Sequence, residues 1–306
     1  MAMITSATLN GLRTQFRNDY QRAFTVAPNW YDRISTTISS STKTNTYGWA
    51  ADLPQMREWV GERVIRNMKE YSYTLSNLKF ELTYAVSRSD IEDDSLGLYT
   101  MTFAGLGTQA KKHPDLLMKQ TIQAGANTTC YDGVSFFNTA HPIDPLDLAK
   151  GTFSNYSAAG MSLTAANYES VRATMMAYKG TSGIELGIQP NILLVPPALE
   201  IAAKRIVKSS MVPSAAGTAP EDNQLFGTAD IIVAPELSNQ PTRWYLLCTT
   251  MGIQPFIYQL RQAAEFVMRT NPADPSVFER DEFNFGATIR DNAGFSMPFL
   301  AYSASA

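Results

Sequence analysis

The stretch NLKFELTYAVSRSDIEDDSLG, residues 77–97, changes its hydrophobic period partway along and so decides much of the fold. From residue 77 to 87, apolar residues alternate with mostly polar ones, and they are Leu78, Phe80, Leu82, Tyr84 and Val86. A period of two predicts a β-strand with one buried face. At about 3.3 Å per residue, the strand is a ribbon more than about 30 Å long.

The ribbon needs a partner strand, and the sequence Gly61–Tyr73 is the nearest candidate. Together the two segments predict a long hairpin. A two-stranded hairpin is at best marginally stable by itself in water. We therefore expect this hairpin to lie on a neighbouring surface.

A helix is predicted immediately after the ribbon. Ser89 and Glu92 have the spacing of a capping box, and acidic residues up to Asp94 favour the positive end of a helix dipole. The helix should run for about 20 residues, a usual length for a globular helix. His113-Pro114 should end or kink it, with Pro114 opening a second segment through about Ala124.

The remaining sequence mixes helices and strands, which predicts an α+β fold. In the first 47 residues, apolar residues spaced by three and four predict one short helix before the polar tract 35–46, in an arm that orders against another surface. Helices are predicted at Thr164–Lys179 and after Pro196-Pro197. Strands are predicted at 191–195, 231–233, 244–248, 256–260, 266–269 and 283–302, the last broken at 291–294. A loop is predicted at Ser209–Gly217.

Composition favours a protein that assembles with other subunits. Charged residues make up 17% of the chain, against about 25% in ordinary soluble domains, and aromatic residues make up 11%. Interfaces are poor in charge and rich in aromatic residues. One large core beneath an uncharged polar surface fits the same composition. The net charge of −3, without a basic run, argues against binding DNA through its phosphates.

The cellular setting follows from the cysteines and from hydropathy. Cys130 and Cys248 are too few for a disulfide framework, which indicates a reducing compartment. The N-terminus lacks a signal peptide, and no window approaches the roughly 20 apolar residues of a membrane span. We expect synthesis in the cytoplasm and no membrane partner.

The sequence offers no convincing catalytic, cofactor or metal site. The two histidines, His113 and His141, are 28 residues apart, and no zinc-binding spacing is present. Cys130 with His141 could be a nucleophile and its base, but no orienting third group can be named. Gly105-Leu106-Gly107 lacks the third glycine of a dinucleotide loop, and the acidic run after Ser89 is explained by a helix N-terminus. We therefore predict that the chain is not an enzyme and binds no cofactor.

Six segments, in this order, resemble the Mu-like phage major head subunit, the gpT family, whose fold is that of the Hong Kong 97-type capsid protein. They are FELTYAVSRSDIEDDSLG (80–97), GLGTQAKKHPDLL (105–117), CYDGVSFFNTAHP (130–142), QPNILLVPPALEIAAKRI (189–206), RWYLLCT (243–249) and DEFNFGATIRDNAGFSMPFLAYS (281–303). The similarity covers nearly the whole chain. Each motif is weak alone, and their collinear order makes the resemblance specific.

The resemblance implies an α+β capsid fold in five parts. These are an N-terminal arm (1–47), an extended β-hairpin loop (48–88), a peripheral domain with a long spine helix (89–149), an axial α/β domain (150–265) and a return to the peripheral domain (266–306). The distal part of the extended loop should reach an adjacent subunit through Trp49, Leu53, Met56 and Trp59.

The implied function is a structural subunit that self-assembles into the icosahedral head around packaged double-stranded DNA. Its expected partners are its own copies in pentamers and hexamers, a separate scaffold, a head-maturation protease and the portal, with a decoration protein as an optional addition. The DNA is contained without sequence-specific binding. Lys69 lies in the loop region, but no motif assigns it to a cross-link. The alternatives are a phage tail tube or sheath protein and a soluble enzyme with an unrecognised site.

Overall fold

The computed structural model describes residues 6–50, 70–87, 89–90, 98–145, 147–213, 220–271 and 274–306. The helices are α1 Ser6–Val26, α2 Leu98–Ala124, α3 Ala165–Met176, α4 Glu200–Val207 and α5 Pro275–Arg280. The strands are β1 Ser35–Ser39, β2 Thr44–Ala50, β3 Glu70–Ser76, β4 Leu78–Ser87, β5 His141–Pro142, β6 Thr152–Phe153, β7 Ile192–Val195, β8 Met211–Pro213, β9 Pro220–Asp222, β10 Asp230–Val233, β11 Arg243–Leu247, β12 Phe256–Arg269, β13 Glu282–Phe295 and β14 Ala301–Ser305.

The alternating ribbon is a strand, β4, but its predicted partner is wrong. β4 pairs antiparallel with β13 at the edge of a four-stranded sheet ordered β1-β12-β13-β4. The segment that was to pair with it contributes instead to β3, which pairs antiparallel with β2. The long β13 offers β4 ten consecutive paired positions, so backbone hydrogen bonding and burial of Val86 both favour the sheet over an isolated hairpin.

Helices α1 and α2 cover one face of this sheet around an aromatic cluster. The ring centroids of Phe16 and Phe103 lie 4.2 Å apart, and Phe103 lies 4.7 Å from Phe285 of β13. The crossing of the two helices is close because Gly107 has no side chain: a Cβ there would lie 2.3 Å from the carbonyl oxygen of Tyr20. The predicted N-terminal helix is confirmed, and the surface that orders it is α2 of the same chain.

Pro114 lies inside α2 and does not end it. A proline removes one helical N–H and favours a kink. The helix nevertheless continues because Leu117, Met118 and Ile122 beyond the proline are buried in the core. At the predicted capping box Ser89–Glu92, Ser89 and Asp90 are helical; Ile91 and Glu92, with the rest of 91–97, lie outside the described residues.

A second sheet is ordered β10-β7-β11-β14. Its strands contribute side chains to two hydrophobic clusters of the core. All four residues of β7 are buried. Leu193 and Val195 pack in a cluster with helices α3 and α4, whereas Ile192 and Leu194 share a cluster with α2, β12 and β13. Because β7 is buried on both faces, all of its residues are apolar, and polar residues do not alternate with them. The helix cap at Thr164 is confirmed, since its side chain accepts from the Asn167 N–H.

Three further predictions differ from the structure. The two strands predicted at 256–260 and 266–269 form one strand, β12, with register shifts between Leu260 and Glu265. The predicted break at 291–294 is wrong, because β13 runs to Phe295 and the interruption is the short 3-10 turn Pro298–Leu300. Asp291 stays in the strand because its carboxylate, which has no exposed surface, is hydrogen-bonded by side chains of neighbouring elements. The segment expected to be a loop after Ser209 contains the small hairpin β8–β9.

Candidate functional site

The hairpin β2–β3 is fixed at its base by buried amide groups. Gln259 of β12 is fully buried, and its Nε2 donates to Asn77 Oδ1 at 2.7 Å and to the Leu75 carbonyl at 3.3 Å. Tyr47 of β2 donates its hydroxyl proton to Gln259 Oε1 at 2.6 Å. Asn77 Nδ2 in turn donates to the Thr42 carbonyl at 2.8 Å. Since a buried amide left unpaired is costly, this network fixes where the hairpin leaves the sheet.

Beyond its base the hairpin is a separate two-stranded sheet. β2 and β3 pair from Thr44↔Ser76 out to Ala50↔Glu70. Of the predicted contact residues, Trp49 lies in β2 with its backbone opposite Tyr71. The Trp49 side chain, Leu53, Met56 and Trp59 lie outside the described residues.

Cys130, Asp132 and His141 form a buried polar cluster in the loop that follows α2. The Cys130 thiol donates to Asp132 Oδ1 at 3.0 Å, and His141 Nδ1 lies 2.6 Å from Asp132 Oδ2. On its other side, His141 Nε2 lies 3.1 Å from the Phe136 carbonyl oxygen and 3.2 Å from Asn155 Oδ1. Both ring nitrogens thus face acceptors, which closes the loop 130–141 on itself.

The cluster is not arranged for nucleophilic catalysis. Burial, with the neighbouring Asp132 carboxylate, raises the pKa of the Cys130 thiol far above its ordinary value, so the thiolate is disfavoured. His141 faces Asp132 and not the sulfur, so the imidazole is not placed to remove the thiol proton. The third group of the cluster is Asp132, two residues after the cysteine, which no sequence spacing identifies; it lies between the Cys130 thiol and the His141 ring.

The same three side chains are the kind that bind metals, and their donor atoms lie within 4.8 Å of one another. In the structure each donor atom is used in a hydrogen bond of the cluster. The second histidine contributes nothing here, because His113 Nε2 lies 3.2 Å from Asp291 on β13. The cluster therefore holds the loop 130–141 together through hydrogen bonds.

Within the described ranges, no helix combines the length and the apolar character that a bilayer span requires.

Comparison with solved structures defines the class of protein. The chain superposes on the procapsid subunit of bacteriophage JBD30 with a TM-score of 0.61 at 30% identity, covering 99% of this chain and 76% of that one. The subunit of the JBD30 capsid decorated with minor capsid protein trimers gives 0.51 at 25% identity, covering 99% and 72%. A virus-like particle subunit from Pyrococcus furiosus, only 10% identical, has the same fold with a TM-score of 0.54, covering 95% of this chain and 98% of that one. The chain is a capsid subunit with the Hong Kong 97-type α+β fold.

Sequence comparison identifies the family. The major capsid protein of Escherichia phage Mu is 30% identical over 293 residues, which are 96% of this chain and 72% of that protein. The profile of the Mu-like prophage major head subunit gpT matches residues 9–161, 156–237 and 236–306. The chain belongs to the Mu-like prophage major head subunit gpT family. It is a structural protein of the virion and not an enzyme.

Proposed function

We propose that the subunit builds the icosahedral head with its peripheral parts around the first sheet and its axial domain around the second. The match to the JBD30 procapsid subunit along 99% of the chain carries this proposal. The axial domain is 150–265, and the peripheral domain consists of 89–149 and 266–306. The strands β1, β4 and most of β12 join the peripheral sheet from the arm, the extended loop and the axial range, and β14 of the peripheral range joins the second sheet.

We further propose that the extended loop makes the contact between subunits, through Trp49, Leu53, Met56 and Trp59. Two observations support it. The base of the hairpin is held by the Gln259 network, so its described strands start from a fixed position beside the first sheet. In the described part of the hairpin, β2 and β3 pair only with each other, so their edges are open to another surface.

Replacing Trp59 by alanine tests this contact. Loss of an aromatic anchor at an interface costs about 2 kcal/mol or more, which is about a thirtyfold higher concentration needed for association per contact. We expect the variant subunit to unfold at the same denaturant concentration as the wild type. Assembly should be weakened, as measured by light scattering against subunit concentration.

Trp244→Ala is the matched control, because Trp244 is fully buried in β11 and donates Nε1–H to the Met161 carbonyl. That variant should lose about 3–5 kcal/mol of folding stability. If Trp59→Ala destabilises the unassembled subunit as much as Trp244→Ala does, Trp59 belongs to the core and the proposed contact is wrong.

The partners of the head are proposed from the family. Besides its own copies in pentamers and hexamers, they are a separate scaffold, a head-maturation protease and the portal, with double-stranded DNA contained inside. Because the JBD30 capsid is decorated with minor capsid protein trimers, a decoration protein is a further proposed partner. Co-expression with a candidate decoration protein, followed by sedimentation of the shells, tests it: co-sedimentation is expected, and its absence at saturating concentration would contradict binding.

A further inference from the structure

We propose that Cys130, Asp132 and His141 form a binding site for one divalent transition-metal ion of the zinc type, which replaces protons that the cluster otherwise holds. The three donor atoms come from one loop and lie within 4.8 Å of one another. Thiolate sulfur, carboxylate oxygen and imidazole nitrogen are the ligands that Zn²⁺ takes in proteins. The proposal concerns the interior of one subunit and does not depend on the contact between subunits.

One of the protons to be replaced lies between His141 and Asp132. His141 Nε2 faces only oxygen acceptors, the Phe136 carbonyl at 3.1 Å and Asn155 Oδ1 at 3.2 Å, so it carries a hydrogen. The Asn155 amide is fixed in this orientation, since its Nδ2 donates to the carbonyls of Phe136 and Pro298. A neutral imidazole therefore presents the lone pair of Nδ1 to Asp132 Oδ2, 2.6 Å away. Two acceptors at this distance require a positive species between them, which is a proton or a metal ion.

The surroundings of His141 are those of a metal ligand. A histidine that binds a metal through one nitrogen usually donates its other N–H to a carbonyl or carboxylate, which fixes the tautomer and the orientation of the ring. His141 Nε2 makes this hydrogen bond with the Phe136 carbonyl, and the Phe153 ring stacks on the imidazole with the centroids 5.0 Å apart. Nδ1 is thus held in position to bind an ion beside Asp132.

The balance of charge favours a divalent ion. In the hydrogen-bonded form, the Cys130 thiol, one carboxylate and the proton between Asp132 and His141 sum to zero charge. When the ion binds, the thiol and the shared position each release a proton to solvent, and sulfur and Nδ1 each form a bond to the metal. Thiolate, carboxylate and a +2 ion again sum to zero. Because the His141 and Asp132 side chains are 0% and 2% exposed, this exchange avoids the cost of burying a net charge.

The cluster has to open slightly to take the ion. Cys130 Sγ lies 3.0 Å from Asp132 Oδ1, and His141 Nδ1 lies 2.6 Å from Oδ2. Ligands of one tetrahedral zinc ion lie about 3.5 Å apart, so the donor atoms must separate by about 0.5–1 Å. The turn that carries Cys130 and Asp132 lies at the surface, with Gly133 exposed at its tip, so it can supply this movement. Asp132 offers both oxygens, and the three residues can therefore provide four donor atoms.

A second turn in the chain forms the same backbone without these side chains. In residues 129–135 and in residues 179–185, the second residue donates its N–H to the carbonyl of the sixth, and the first pairs with the seventh. The fifth residue of each turn is a glycine, with φ of 85° and 79°. Where the first turn has cysteine and aspartate, the second has Gly180 and Ser182. The turn itself therefore does not require the cysteine or the aspartate.

An ion at this position holds the loop after α2 against the core between the two sheets. The Phe136 ring stacks on Phe295 of β13 with the centroids 4.6 Å apart, and Asn155 joins the loop to the Pro298 carbonyl ahead of β14. Because folding brings the three ligands together, the free energy of metal binding adds to the stability of the folded subunit. We expect the metal-bound subunit to unfold at a higher temperature than the metal-free one.

Titration of the full chain with Co²⁺ and Zn²⁺ tests the site, after a chelator has removed any metal. Co²⁺ should bind as one ion per chain and give the intense near-ultraviolet absorption of a thiolate–cobalt bond. Zn²⁺ should displace it, since zinc binds such sites more tightly than cobalt. Calorimetry in two buffers of different ionisation enthalpy should show about two protons released per ion. Absence of binding, or binding without the thiolate absorption, overturns the proposal.

Cys130→Ser and its matched control Cys248→Ser identify the sulfur ligand. Cys248 is the other cysteine of the chain, and it is also buried. Cys248→Ser should keep the cobalt absorption, the affinity and the zinc-induced rise in Tm. Loss of a residue that only orients a ligand already weakens metal binding about 10–100-fold, so Cys130→Ser should bind Zn²⁺ about 100-fold more weakly or worse.

Unchanged zinc affinity in Cys130→Ser would show an adventitious ion elsewhere on the chain and would overturn the proposal. If Cys130→Ser does not fold, Cys248→Ser decides by itself, because cobalt absorption that survives this change can come only from Cys130. Loss of the absorption in a folded Cys248→Ser variant contradicts the site.

Discussion

Gly107→Ala should separate α1 from α2, and Gly105→Ala is its control two residues away. An added Cβ at residue 107 would lie 2.3 Å from the Tyr20 carbonyl oxygen and 3.2 Å from the Phe24 nitrogen, both backbone atoms. To reach an ordinary contact of 3.4 Å, the backbone of α1 must retreat by about 1 Å, which a close-packed interior resists. At residue 105 a Cβ would meet nothing within 4 Å.

Both variants gain helix propensity, but only Gly107→Ala introduces a steric overlap. Replacing glycine by alanine inside a helix stabilises it by about 1 kcal/mol. Overpacking costs about 1–3 kcal/mol, and only Gly107→Ala incurs it. Gly105→Ala should therefore gain about 1 kcal/mol, and Gly107→Ala should be less stable than Gly105→Ala by about 1–3 kcal/mol.

Urea unfolding of the unassembled subunit measures this difference, and limited proteolysis within residues 6–26 reports the release of α1. Equal stability of the two variants, with α1 equally protected, would refute the close helix crossing.

Two further predictions concern single hydrogen-bonded positions. Thr164→Ala should lower the free energy of unfolding by about 1 kcal/mol, since the Asn167 N–H loses its side-chain acceptor, and Thr164→Ser should recover most of it in the same urea titration. Asp132→Ala should cost about 1–3 kcal/mol, because it leaves the buried His141 Nδ1 and the Cys130 thiol without their shared hydrogen-bond partner. The exposed Asp147→Ala, in the next loop between β5 and β6, removes only an exposed hydrogen bond from the Ala149 N–H and should stay within about 1 kcal/mol of wild type by differential scanning fluorimetry. Equal losses for the two aspartates would contradict the buried hydrogen-bonded cluster.

Local patterns predicted most of the elements and few of their pairings. The alternation through Leu82 identified β4, and Thr164 identified the start of α3, because each signal lies within a few residues. The partner of β4 is β13, some 200 residues away, and no local period records which strand lies beside which. The nearby segment Gly61–Tyr73 fits the local pattern, but local pattern does not reveal that β4 pairs with β13.

Polar residues resemble turns in sequence where their hydrogen-bond partners lie far away along the chain. Asp291 and Asn292 resemble a turn in sequence, yet Tyr258, His113 and the Ser76 carbonyl satisfy them inside the structure. Pro114 likewise resembles a helix end in sequence. In the structure α2 continues through it, because residues beyond the proline are buried in the core. The sequence indicates Cys130 and His141 as a pair, but only the folded loop places Asp132 between them.

Cryo-electron microscopy of the purified protein, with its scaffold partner present, tests the account most directly. We predict closed shells in which pentamers and hexamers of this chain form an icosahedral lattice, with each extended loop lying on an adjacent subunit. Particles that remain strictly monomeric at high subunit concentration, or that form only tubes, would contradict a head subunit.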